Sequence, residues 1–338
     1  MNTASSPGSG SGRRLDAIWI LSLISVIGLL VVNIAGFVDT DTGSALGCGN
    51  QWPLCNNSVI PAFHTLQTII EFAHRSIVSV VTLLLIVTSV LAWRRYGKWL
   101  EVKVSISLML GFVFLEAFLG ALGVLIGDSP AVLAVHFGVS MVAFASSVLL
   151  MVVLAQIQWA LGRHPENPRL RQGALPKGFR LWTGITVVYT YLAMYVGAYI
   201  ASIGAGDSFR GFPFPTENFQ QAGSNFYFDV LHRSIALGLV VLCVGLLVAT
   251  YRVQRGSQDL KIGAWLACIF VILQGISGGL LVLTHLSMGA FLFHVTNISC
   301  LFAVVSCLYV QTLPEPRRTA LRETTPSSRR HVAPTASR

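Results

Sequence analysis

Two ionisable clusters interrupt long apolar stretches of this 338-residue chain. Residues 71–80 read EFAHRSIVSV and residues 229–238 read DVLHRSIALG, so Glu71, His74 and Arg75 are matched 158 positions later by Asp229, His232 and Arg233. A second pair, His136 and His294, repeats at the same offset, so the two histidines of each copy are 62 positions apart. Between them Leu115, Gly120 and Leu122 recur as Leu273, Gly278 and Leu280. An imidazole offers a lone pair to a metal, and a carboxylate three residues earlier on a helix shares its face. Paired imidazoles from facing helices are a known way to build a metal or haem centre.

Two such centres fit the residue types. A di-iron site uses the carboxylate-x-x-His spacing seen in EFAH and DVLH, but it needs two further carboxylates. Only Glu116 lies in the helices, and its repeat partner is Gln274. Bis-histidine haem needs just the two imidazoles of one copy, so two copies hold two haems. Gly120, Ala121, Gly278 and Gly279 leave room for a flat macrocycle or let helices approach.

These residues must be positioned by membrane helices. Apolar residues make up 54% of the chain and charged residues 11%, with a mean hydropathy of +0.68, whereas soluble domains carry about a quarter charged residues. Eight runs approach the roughly 20 residues that cross a bilayer: 16–37, 66–93, 103–126, 131–161, 180–203, 226–251, 262–284 and 288–311. A β-barrel would show shorter segments of alternating polarity. The expected fold is all-α and polytopic, two tandem four-helix bundles related by a pseudo-twofold axis along the membrane normal, because four spans separate the copies. The halves are 16–161 and 180–312, joined by a cytoplasmic linker at 162–179. Residues 1–15 and 313–338 read as disordered tails.

Twenty of the 23 basic residues fall in the N-terminus, the turns at 94–103 and 252–261, the loop at 162–180 and the C-terminal tail. Basic residues stay cytoplasmic, so both termini are expected there and the loop TGSALGCGNQWPLC on the outer face. The net charge of +9 then reflects topology rather than nucleic-acid binding. All four histidines lie about 6 to 9 residues from the outer ends of their spans, about 9–13 Å deep. Ionisable groups at that depth are costly and usually functional.

The chain resembles the haem A synthase family over residues 16–312, on TGSALGCGNQWPLC, EFAHR, LAVHFGVS, LHRSI and LFHVTN. The resemblance implies a cell-membrane oxidoreductase that converts the C8 methyl of haem O to a formyl group, supplying haem A for terminal oxidase assembly. It implies that His74 and His136 ligate the iron of the substrate haem O, that His232 and His294 ligate a resident haem b, and that Glu71 is catalytic. Haem O synthase, the protohaem farnesyltransferase, is the upstream partner it implies; the electron partner lies outside the chain, and a homo-oligomer is compatible with it. Many relatives carry a second cysteine pair in the outer loop of the C-terminal half, and residues 204–225 here contain none. Asp229 at the repeat position of Glu71 means that the acid alone does not distinguish the halves.

Other readings remain beside this one. Cys48 and Cys55, the only two of six cysteines outside the spans, are expected to form a disulfide in an oxidising exterior, either a staple or a redox-active pair. Arg75 and Arg233 are candidate partners for haem propionates or snorkel toward headgroups. A dihaem b-type cytochrome for quinol-linked electron transfer would use the same histidines without needing Glu71 or the cysteine loop. A transporter with parallel repeats would show interrupted helices, and the runs around His74 and His232 are unbroken.

Overall fold

The computed structural model describes residues 15–127, 129–163, 170–171, 175–253 and 258–314. In order these form α1 (Ala17–Asp41), α2 (Leu66–Tyr96), α3 (Leu100–Ile126), α4 (Pro130–Arg163), α5 (Lys177–Ser202), the short α6 (Phe219–Ala222), α7 (Asn225–Arg252), α8 (Gln258–Leu283) and α9 (Met288–Thr312). The eight long helices are long and apolar enough to cross a membrane. Their ends fall within four residues of the expected spans, and polar residues cap some of them. Asp16 accepts the Trp19 amide at 3.0 Å and Thr65 the Thr68 amide at 3.2 Å, each satisfying a helix N–H left without an intrahelical partner. The tails and much of the linker lie outside the described residues.

Helices α4 and α9 are the most buried of the eight and pack against each other, with α1 and α5 beside them and α2, α3, α7 and α8 outside. On α4 the buried residues include Gly138, Ala143, Ala145, Ser146 and Ser147. Helices in lipid gain nothing by hiding apolar surface from one another, so such small side chains, which allow close approach, drive the packing.

Two sets of contacts bind this centre at its ends. On the side of the histidines the Phe37 ring of α1 meets Phe137 of α4 at 5.0 Å and Phe291 of α9 at 5.9 Å, both edge-on. At the opposite side Asp16 takes hydrogen bonds from Gln158 of α4 at 2.8 Å and from the Tyr96 hydroxyl at the end of α2 at 2.5 Å. There too Arg171 pairs with Glu101 of α3 at 3.1 Å and donates to the Leu313 carbonyl just past α9 at 3.2 Å.

Asp16 is thus both a cap and a three-helix tie. Asp16→Ala removes the cap, costing about 1 kcal/mol, and leaves Gln158 and Tyr96 short of a partner. Thermal unfolding in detergent should show a lower midpoint for Asp16→Ala, and Asp16→Asn should recover most of it.

Candidate haem-binding and catalytic site

Each of the four histidines rests against a glycine of a neighbouring helix. A Cβ placed on Gly36 of α1 would stand 3.1 Å from His74 Cε1, and one on Gly120 of α3 would stand 3.3 Å from His136 Cε1. In the second half the pairs are Gly197 of α5 with His232 at 3.3 Å and Gly278 of α8 with His294 at 3.5 Å. The missing side chain lets the Cε1 edge of the ring approach the next helix closely, so its position is limited by backbone rather than by a flexible neighbour.

Above the first pair, Glu71 is 2% exposed. Its carboxylate accepts the Cys48 amide at 2.6 Å and forms an ion pair with Arg75, one turn on. Arg75 in turn donates to the carbonyls of Gln51 at 2.9 Å and Leu54 at 3.2 Å. Cys48 and Cys55 form a disulfide with Cα atoms 4.4 Å apart, and Thr68 holds the Gly47 carbonyl at 2.8 Å. The whole cysteine loop is thereby tied to the first turns of α2.

The second half repeats the clamp with different parts. Asp229, 1% exposed, accepts from Arg233 at 2.7 Å. Arg233 reaches the carbonyls of Pro213 at 2.9 Å, Gly211 at 3.0 Å and Arg210 at 3.2 Å. Glu217 accepts the Arg210 amide at 3.0 Å, so a carboxylate ties this loop where the first half uses a disulfide. The loop also contains α6, which the sequence reading did not anticipate. It is held by a capping box in which the side chains of Asn218 and Gln221 each accept the other's amide.

The imidazoles themselves are supported unequally. His294 is bonded by Ser277 through Nδ1 at 2.9 Å and by the Gln274 amide through Nε2 at 2.9 Å. Asn297 fixes that amide by donating to its oxygen at 2.7 Å. The repeat positions of Ser277 and Asn297 are Leu119 and Val139, and His136 has a 3.8 Å approach to Glu116.

The residues present fit iron between paired imidazoles. The rings of His232 and His294 have centres 6.4 Å apart, and two imidazoles bound to one metal at about 2 Å each place their centres about 6 Å apart. Nδ1 of His74 and of His232 is buried without a hydrogen-bond partner, a cost that a bound group or water would relieve. Among the described residues no cluster of three or more His, Cys, Asp or Glu could hold a bare metal ion, which speaks against the di-iron arrangement.

The sequence model of the COX15-CtaA family, described as cytochrome oxidase assembly protein, matches residues 62–306. The chain belongs to this family. It is similar to proteins named heme A synthase from Bacillus licheniformis, 31% identical over 88% of this chain and 96% of the relative, and from Bacillus pumilus, 32% identical over 87% and 95%. The relative of the same name from Shouchella clausii is 34% identical over 84% of this chain and 93% of its own length. The cytochrome alternative gains no support from these matches. Within this COX15-CtaA member, Gly36, Gly197, Ser277 and Asn297 are the neighbours that sequence reasoning missed. Gly36 and Gly197 are 161 apart rather than 158, and the two polar residues have no repeat partner.

The glycine supports predict a spectroscopic result. Gly197→Leu should push the His232 ring out of line and lower the haem retained per protein, while Gly36→Leu should spare the second-half haem; absorbance of purified protein against pyridine haemochrome checks both.

Proposed function

We propose that the protein is a haem A synthase, an oxidoreductase acting on a CH group, in which residues 16–161 receive haem O and residues 180–312 retain haem b. The observation that carries the division is the unequal support of the fourth-helix histidines. A ligand meant to stay is oriented by an outer partner on its other ring nitrogen, as metal-bound histidines usually are. Ser277 holds Nδ1 of His294, which leaves Nε2, where the Gln274 amide tied by Asn297 sits in this structure, as the nitrogen iron would take. His136 lacks that web, as a ligand to a group that must arrive and leave should. The two halves are taken to be related by a pseudo-twofold axis along the membrane normal.

In this reading His74 and His136 hold the substrate's iron, and His232 and His294 hold that of haem b. When bound, haem b would supply one-electron redox chemistry. Converting a methyl to a formyl group adds an oxygen atom and removes electrons and hydrogen from carbon, in net R–CH3 + H2O → R–CHO + 4 H+ + 4 e−, with the electrons passing to an acceptor outside the chain. Protons must therefore leave, and positive charge develops at the ring edge. Glu71 shares the helix face of His74 and lies one turn nearer the disulfide loop. Its carboxylate is aimed by the Cys48 amide and Arg75, which leaves it fixed to accept a proton or oppose that charge. A guanidinium has five N–H donors; Arg75 uses three hydrogen bonds here and Arg233 four, so each retains capacity for a propionate. The loop distribution of Lys and Arg supports a multi-pass cell-membrane protein with cytoplasmic termini and the disulfide outside. Haem O synthase, which makes the substrate, is the upstream partner that follows.

Haems extracted from the purified protein should include haem A or a partly oxidised haem O beside haem b; haem b alone, even after supply of haem O, would count for the cytochrome. Glu71→Gln keeps shape but not charge, so haem binding should persist while haem A formation falls at least about tenfold. Asp229→Asn should have a much smaller effect, and equal losses in the two variants would overturn the division between halves. Cys48→Ser with Cys55→Ser should reduce both thermal stability and turnover, because the Cys48 amide that aims Glu71 is carried by the loop the disulfide closes; unchanged turnover would leave the disulfide a staple only.

A further inference from the structure

The halves differ again where α2 meets α3. These two helices are longer than α7 and α8, their counterparts by the repeat, yet they touch one another much less. A three-residue turn, 97–99, joins α2 to α3, so they must be in contact beside that turn. The missing contact therefore lies toward the far ends, the level of His74 and of His136 with its neighbour Gly120. In the second half the same end is roofed. Phe212, in the loop that Arg233 ties to α7, lies so close to α8 that a Cβ on Gly279 would stand 3.0 Å from its ring. The repeat position of Gly279 is Ala121, whose methyl takes up the space such a ring needs.

The geometry points to the seam between α2 and α3 as the site that takes the isoprenoid tail of the substrate haem, entering sideways from the lipid. This rests on the assignment of haem O to the His74–His136 half. By the repeat, Ala121 stands where Gly279 meets Phe212, and Ala117, one turn back, shares its side of α3 and would give a shallow floor; Phe114 and Phe118, 56% and 58% exposed, lie on the same side. Hydrocarbon is as apolar as these side chains, so the tail gains little by leaving one for the other and the seam selects by shape. For the same reason the tail meets little barrier in either direction, which suits a site that must release its product. The closed and roofed second half suits a haem that lacks such a tail and stays.

The test compares haem O with haem b, which has no tail, as ligands of the first site in protein that already carries its resident haem. In Ala117→Trp and Ala121→Trp, optical titration should show haem O affinity reduced at least about tenfold and haem b affinity reduced less than about threefold. Ile276→Trp, the same kind of change at the repeat position of Phe118, should leave both unchanged. Equal losses for the two haems, or no loss for haem O, would overturn the seam. Should the tryptophan variants fail to fold, a haem O analogue carrying a diazirine at the end of its tail tests the unaltered protein. Its adducts are expected on Phe114, Ala117, Phe118 or Ala121, and adducts confined to α7, α8 or α9 would overturn the proposal. The underlying assignment fails differently: His74→Ala and His136→Ala would then leave haem O binding intact.

Discussion

Everything in this molecule is arranged around the cost of keeping imidazoles inside hydrocarbon. A polar ring buried without a partner is expensive, and four of them are tolerable only with fixed neighbours and partners that take up their polar atoms. The fixed neighbours are the glycines of α1, α3, α5 and α8, which admit the rings to within van der Waals contact of backbone. That requirement explains why these helices come close at the histidines.

The acid–arginine pairs add a second constraint. Glu71 with Arg75 and Asp229 with Arg233 sit one turn apart on α2 and α7, where a lone charge would be unaffordable in energy. Pairing reduces that cost, and the remaining guanidinium N–H groups find loop carbonyls, so neutralising the charge also fastens a loop over each half. The same device serves two ends. In the first half it aims a carboxylate through the amide of a disulfide-bonded cysteine; in the second a further carboxylate, Glu217, completes the fastening without cysteines.

Symmetry of the ligands and asymmetry of their surroundings together make the functional argument. Four equivalent histidines by themselves describe a dihaem protein of any kind. In the proposed reading, the bonds of Ser277 and Gln274 to His294, against Leu119 and Glu116 at the corresponding positions beside His136, distinguish a ligand that is held from one that is left free to exchange. The slack contact of α2 with α3, against the firmer contact of α7 with α8, fits the proposal that the first half is the one that exchanges its haem.

Sequence alone determined the eight spans, the 158-residue repeat, the four histidines with their acids and arginines, and the cysteine pair. These are legible because a membrane span must be long and apolar, and an ionisable residue within it stands out against that background. Even the resemblance to the family was carried by short local motifs. What only tertiary structure decided is which groups meet. Gly36 and Gly197 were hidden because α1 and α5 follow a slightly different offset from the other helices. Ser277 and Asn297 look like ordinary small polar residues until the packing of α8 on α9 brings Ser277 to His294 and Gln274 to Asn297. The engagement of Glu71 by the Cys48 amide depends on how a loop folds back 23 residues along the chain. Hydropathy records the solvent a residue prefers, one residue at a time; partners across helices depend on rotation and separation of whole helices, which no local pattern encodes.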